Sequence, residues 1–192
     1  MPNWNDNIVK IEGDDYEISR LLEMGIGGQT VDEDDNSIPF EMNNFFPTPM
    51  KEDTNEVIDG WYSWRCENWG CKWDMSDVNA DRDNKELELF YQTPWGPNEI
   101  FWGRIAEQFP KLTISLSYYE GGMMFGGQMR WEEGELYTAR EHTIKDNTNI
   151  DDFKMFADNM KEIGFEWAYN DIHEYVIAEL EEELAEAEKE NN

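Results

Sequence analysis

Four of the chain's nine tryptophans fall between Trp61 and Asp74, where Trp61, Trp64, Trp69 and Trp73 are interleaved with Arg65, Asn68 and Lys72. Cationic and amide side chains among large rings could do one kind of chemistry: they could line a pocket. Arg65, Asn68, Lys72 and Glu120 would be its convergent polar groups, and Trp69, Trp73 and Trp95 its walls. Such a pocket suits a planar or phosphorylated ligand. The same residues have a purely structural reading. Large aromatics are mostly buried, so the tryptophans would pack under a long loop while Arg65 and Lys72 pair with Glu67 and Asp74. Periodicity does not settle the conformation of this stretch.

Other residue types offer less. Cys66 and Cys71 are separated by four residues, with no second Cys or His pair to complete a tetrahedral metal set. His142 and His173 are isolated from each other and from both cysteines. No Ser-His-Asp arrangement, nucleotide loop or metalloprotease helix is present. Gly121-Gly122 and Gly126-Gly127 flank a strand break without a helix start behind them, which suits a bulge or tight turn better than a phosphate cradle. Carboxylates are so abundant that no catalytic pair can be singled out. The expectation is a binding protein with two free thiols and no metal or cofactor, not an enzyme.

Charge dominates the composition: 44 acidic against 15 basic side chains leave a net −29 over 192 residues. Direct binding of nucleic acid or of an anionic membrane needs clustered Lys and Arg and is not expected. Aromatic residues make up 14% of the chain, too many for an acidic disordered segment. The acid therefore sits on a folded body. It can serve solubility, steer a basic partner, or stand in for nucleic-acid phosphates. The candidate clusters are Asp32, Glu33, Asp34 and Asp35; Glu132 and Glu133; and Glu179, Glu181, Glu182, Glu183 and Glu186. Residues 1–6 carry neither the basic nor the apolar run of a secretion signal, and no apolar stretch approaches the roughly 20 residues of a membrane span. A cytoplasmic location follows as an expectation.

These residues must be positioned by a succession of strands and helices. Residues 7–13 alternate as a strand, and Asp14 or Asp15 then caps a helix carrying Ile18, Leu21 and Leu22 that glycines at 25, 27 and 28 stop. Residues 38–47 read as an edge strand or an extended packing arm because of their prolines, and residues 51–60 as loop or frayed helix. A polar turn is expected over 77–85, a strand over 86–92 and a rigid turn over 93–97. An amphipathic helix with Ile100, Phe101, Ile105, Ala106 and Phe109 leads to the best strand, 112–120. Two more strands are expected over 123–131 and 135–140. The tail is helical from 151 to 163 and again from 167 to 190. In this second run a narrow stripe of Ile172, Tyr175, Val176, Leu180 and Leu184 is surrounded by glutamates. Like charges at helical spacing destabilise an isolated helix, so this one must dock its stripe or fray.

The run Trp64-Arg65-X-X-Asn68-Trp69-Gly70-X-Lys72-Trp73-Asp74 resembles the YubB-type ferredoxin-like domain proteins of phages and plasmids. So do Thr93-Pro94-Trp95, Phe109-Pro110, Tyr118-Tyr119-Glu120 before Gly121-Gly122, residues 7–13, and Phe46-Pro47-X-Pro49. The resemblance covers residues 3–131. Cys71 stands where a Thr or similar small residue is expected. The resemblance implies a ferredoxin-like α+β sandwich encoded on a mobile element, with no enzymatic activity attached to it. The element order agrees: an antiparallel sheet with helices packed on one face. The expected organisation is an α+β domain over 1–142 followed by an acidic helical extension over 143–192.

Mobile-element origin and strong negative charge together point to an inhibitor of a basic host protein. The expected target is a nuclease or other nucleic-acid-binding effector, engaged as an acidic DNA mimic of the anti-CRISPR or anti-restriction type. The alternative is a small-ligand-binding protein or enzyme using the pocket around Arg65, Asn68 and Lys72.

Overall fold

The computed structural model describes residues 2–29, 37–54, 56–144 and 149–190. Six strands form one sheet: β1 (Trp4–Glu12), β2 (Ser76–Arg82), β3 (Glu86–Pro94), β4 (Thr113–Glu120), β5 (Phe125–Glu132) and β6 (Glu135–Thr143), in the order β2-β3-β1-β4-β5-β6. Every neighbouring pair is antiparallel. The first four strands, with helices α1 (Asp15–Ile26) and α3 (Glu99–Gln108) as crossovers, have the ferredoxin-like arrangement, and β5 and β6 extend it as a meander.

The strand pattern sets the faces. Val9, Leu89 and Leu116 lie side by side, as do Ile11, Leu87 and Ile114, and all are buried. Against them pack Ile18 and Leu21 of α1, Phe101, Trp102 and Ile105 of α3, and Trp69 of the short helix α2 (Trp61–Trp69). Local chemistry fixes the helix ends. Asp14 accepts from the Glu17 backbone N–H, and Gly27 closes α1 in the left-handed region at φ 63°, a conformation glycine adopts without a Cβ clash. The arm over 38–47 is extended apart from a 3₁₀ turn, Met42–Asn44, and plugs Phe40, Met42 and Phe46 into this core. Its start touches the sheet edge, with the Ile38 N–H donating to the Val78 carbonyl at 2.9 Å, and Pro39 has no N–H with which to continue that pairing.

The sequence expectation fails at residues 77–85. The expected polar turn begins instead as strand β2, whose buried face is reduced to Val78 with a half-buried Ala80. An edge strand with one polar face and a register shift between Ser76 and Asn79 leaves little alternation to read.

The tail folds onto the body. Helix α4 (Ile150–Glu162) ends at Gly164 (φ 107°), and α5 (Glu166–Asp171), a π-helical segment (Ile172–Ile177) and α6 (Ala178–Glu190) follow. Phe153, Phe156, Met160, Phe165, Ala168, Ile172 and Ile177 form a second core with Tyr119, joined by Ile8 and Met124. Helices α1 to α3 cover one face of the sheet, and this unit covers one end of the other. Met160 reaches the sheet at Gly126, where a Cβ would lie 2.5 Å from its sulfur.

Candidate functional site

The tryptophan-rich stretch resolves into α2 and the turn that follows it. Trp69 is fully buried and donates its indole N–H to the Phe46 carbonyl at 2.9 Å. Arg65 lies over the rings of Trp69 (4.6 Å) and Trp61 (5.0 Å) and donates to the Thr48 hydroxyl at 3.0 Å. Asn68 caps its own helix by donating to the Trp64 carbonyl, and its oxygen accepts from Arg104. These three residues bind α2 to the arm and to α3. Asp74 accepts from the backbone N–H groups of Met42, Asn43 and Met75. Burial nevertheless pushes its pKa above the usual carboxylate range.

Lys72 behaves differently. Its ammonium lies 4.9 Å from the ring of Trp73, 5.3 Å from Tyr62, 5.9 Å from Trp95 and 6.0 Å from Trp61. Among the described residues it has no carboxylate within ion-pair distance. The Trp73 and Trp95 rings lie 5.5 Å apart, tilted by 30°, and Trp95 is held at φ 66° with its N–H on the Asn3 carbonyl. Beside this cage opens a cavity of about 360 Å³ lined by Lys72, Trp95, Gly96, Glu99, Tyr118 and Glu141, among others. The Tyr118 hydroxyl is 3.5 Å from Glu141, and burial raises the pKa values of Tyr118 and Glu99. Of the seven pocket residues expected from sequence, Lys72 and Trp95 line this cavity and Trp73 flanks them. Arg65, Asn68 and Trp69 are engaged in packing. Glu120 is elsewhere, closing the β4–β5 turn by accepting from Gly122 (3.0 Å) and Met123 (2.6 Å). Glu99, Tyr118 and Glu141 were not foreseen, since only the fold brings α3, β4 and β6 to one place.

Both cysteines are free thiols; Cys71 is buried and its thiol contacts the Trp73 carbonyl at 3.2 Å. Burial raises its pKa, which disfavours the reactive thiolate. Among the described residues no group of three or more His, Cys, Asp or Glu could hold a metal ion. No described helix is long and apolar enough to cross a membrane.

The acidic clusters separate. Asp32, Glu33, Asp34 and Asp35 lie outside the described residues. Glu132 pairs with Arg130 at 2.6 Å, and Glu133 is exposed in the β5–β6 turn, where Glu133 (φ 53°) and Gly134 (φ 85°) are both left-handed. On α6, Glu179, Glu181, Glu182, Glu183 and Glu186 are all exposed, and Glu181 pairs with Lys154 of α4 at 3.1 Å. The turn lies six residues, roughly 20 Å, along β5 from Gly126, where Met160 of α4 meets the sheet.

Sequence reasoning also missed a groove on the second sheet face. Asp6, Ile8, Phe90, Gln92 and Trp167 line a hollow of about 490 Å³ below the α4–α5 corner. Ile8 and Phe90 were the available signal. Each places an apolar residue on the polar side of its strand; Ile8 packs against the second core, and Phe90 stays exposed in the groove.

Comparison with known proteins bears on the sheet and its helices. Residues 68–162 match the ferredoxin-like domain in Api92-like protein. This segment is just under half of the chain. It contains the Asn68-Trp69-Gly70-Cys71-Lys72-Trp73 turn and runs through β6 into α4, across the expected division at 142/143, while the central strand β1 lies outside it. The crystal structure of Api92 from Yersinia pseudotuberculosis is similar with a TM-score of 0.49 at 10% identity, covering 76% of this chain and all of that one. No curated protein matches the chain.

Proposed function

We propose that this protein binds a basic, nucleic-acid-handling protein of a bacterial host and inhibits it by presenting carboxylates where phosphates would lie. The observation that carries this reading is α6. Five glutamates, Glu179 to Glu186, occupy about 10 Å of helix axis, one charge per roughly 2 Å, close to the one per ~1.7 Å of duplex DNA. A self-repelling helix of this kind needs support, and Ile172, Ile177 and Leu180 tie its base to the second core. The charge density is therefore held out from a folded body. Steering by net −29 favours fast, salt-sensitive association with a channel lined by Lys and Arg. Mobile-element origin, action in the host cytoplasm and an anti-CRISPR or anti-restriction target are parts of the same proposal, and a catalytic role is not.

A DNA-displacement assay tests it. The chain should release duplex DNA from a basic effector nuclease, and replacing Glu179, Glu182, Glu183 and Glu186 by Gln should weaken release at least tenfold. Equal potency of parent and variant would reject α6 as the mimic.

The Lys72 cavity favours a second reading, a small anionic or zwitterionic ligand held between the caged ammonium and Trp95. Stabilisation by such a ligand, seen as a rise in melting temperature that Lys72→Met abolishes, would support it.

A further inference from the structure

The groove on the second sheet face has features that solubility does not call for. It is framed by Ile8 of β1, Phe90 of β3 and Trp167 of α5, and Asp6 and Asp77 line it beside Gln92. Phe90 and Trp167 remain 39% and 48% exposed, so their rings are open to a ligand beside the carboxylates. Asp6 is half-buried and accepts from Gln92 Nε2 at 2.8 Å. Asp77 stands at the register shift of β2 with φ 53°, where a glycine would sit without strain. Among the described residues neither carboxylate has a Lys, Arg or His within ion-pair distance. Burial raises the pKa of Asp6 despite the opposing hydrogen bond from Gln92.

We infer that this groove receives an arginine side chain of the protein's basic partner. The guanidinium plane stacks on aromatic rings, and its fork of N–H donors meets carboxylates at the edge. A hollow of about 490 Å³ exceeds what one such side chain fills, so flanking backbone enters too. A lysine ammonium, being a point charge with a tight hydration shell, gains less from stacked rings and paired carboxylates. Nucleic acid and anionic lipid are repelled by the same groups. The assignment rests on the reading that the partner is basic, but it places recognition away from α6.

The full chain, labelled with nitrogen-15, is titrated with the capped peptide acetyl-Gly-Arg-Gly-amide and followed at the Trp167 indole and the Gln92 side-chain amide. Saturable shifts at both are expected, at least tenfold weaker with lysine in place of arginine and absent with citrulline. Asp6→Asn and Asp77→Asn should each weaken binding at least tenfold. Asn at position 77 tolerates the left-handed backbone, and an Asn at position 6 can still accept from Gln92, so both variants should fold. The variant with Gln at 179, 182, 183 and 186 should bind the peptide as the parent does. If that variant fails to displace DNA while peptide binding persists, both readings stand. If the parent fails to displace DNA but binds the peptide, the mimic fails and the groove survives. Shifts that persist with citrulline, match with lysine, or survive both Asp substitutions would overturn the assignment.

Discussion

Phe156→Ala tests whether the acidic tail is held by its docking core. The Phe156 ring is 2% exposed and lies 6.1 Å from the Tyr119 ring at the centre of the second core. Removing a buried Phe side chain costs about 3–5 kcal/mol. Helix α6 has little of its own to set against that loss. Its like-charged pairs at helical spacing each oppose helix formation by about 0.2–0.5 kcal/mol, and isolated helices shorter than ~12–15 residues are marginal in water. If the C-terminal unit opens without the rest of the sheet, its opening constant should rise by about a hundredfold to a few thousandfold, at ~1.4 kcal/mol per tenfold. Native-state hydrogen exchange reads this directly: amides of α4, α5 and the π-helical segment should lose protection by that factor, while β1 and β3 keep theirs. Equal loss across β1 and the tail would show that the two cores open as one. Unchanged protection of α5 would refute the claim that docking holds the tail.

Two further outcomes follow from the buried carboxylates. Asp6, Asp74 and Glu99 all titrate above the ordinary range because burial disfavours their charged forms. A raised folded-state pKa contributes stability that is fully present below the unfolded value and is lost as pH rises through the folded one. The melting temperature should therefore rise as pH falls through the raised pKa values toward the ordinary carboxylate range, aided by relief of self-repulsion, and Asp6→Asn should flatten the slope; a melting temperature that falls as these groups protonate would count against the assignment. Asp74→Ala strands the backbone N–H groups of Met42 and Asn43 in the arm and of Met75 and should cost on the order of 3 kcal/mol, measured by urea unfolding, whereas Asp74→Asn should cost less.

Much of the sheet was legible because its first face is written in period two: Val9 and Ile11, Leu87 and Leu89, Ile114 and Leu116 each point inward. The second face was harder to read. Ile8, Phe90 and Tyr119 break that period: Ile8 and Tyr119 make sense once α4 and α5 are seen to pack on them, while Phe90 stays open in the groove beside them. Strand β2 was lost because an edge strand with one firmly buried side chain, Val78, has almost no pattern to display. The pocket was half legible. Composition identified Lys72, Trp73 and Trp95 as neighbours, but it could not tell a lysine left among four rings from an Arg65 consumed by packing. Residue type does not record what stands behind a side chain, and Glu99, Tyr118 and Glu141 arrive beside Lys72 through pairings distant in sequence.

The most direct test of partner binding is capture from bacterial lysate on the immobilised chain, with salt and duplex DNA as competitors. The account predicts recovery of a Lys- and Arg-rich nucleic-acid-binding protein at 0.1 M salt, since the Debye length is then about 10 Å. That protein should be released by duplex DNA, lost at high salt, and retained poorly by the variant with Gln at 179, 182, 183 and 186. A neutral partner held regardless of salt, DNA and those four substitutions would contradict it.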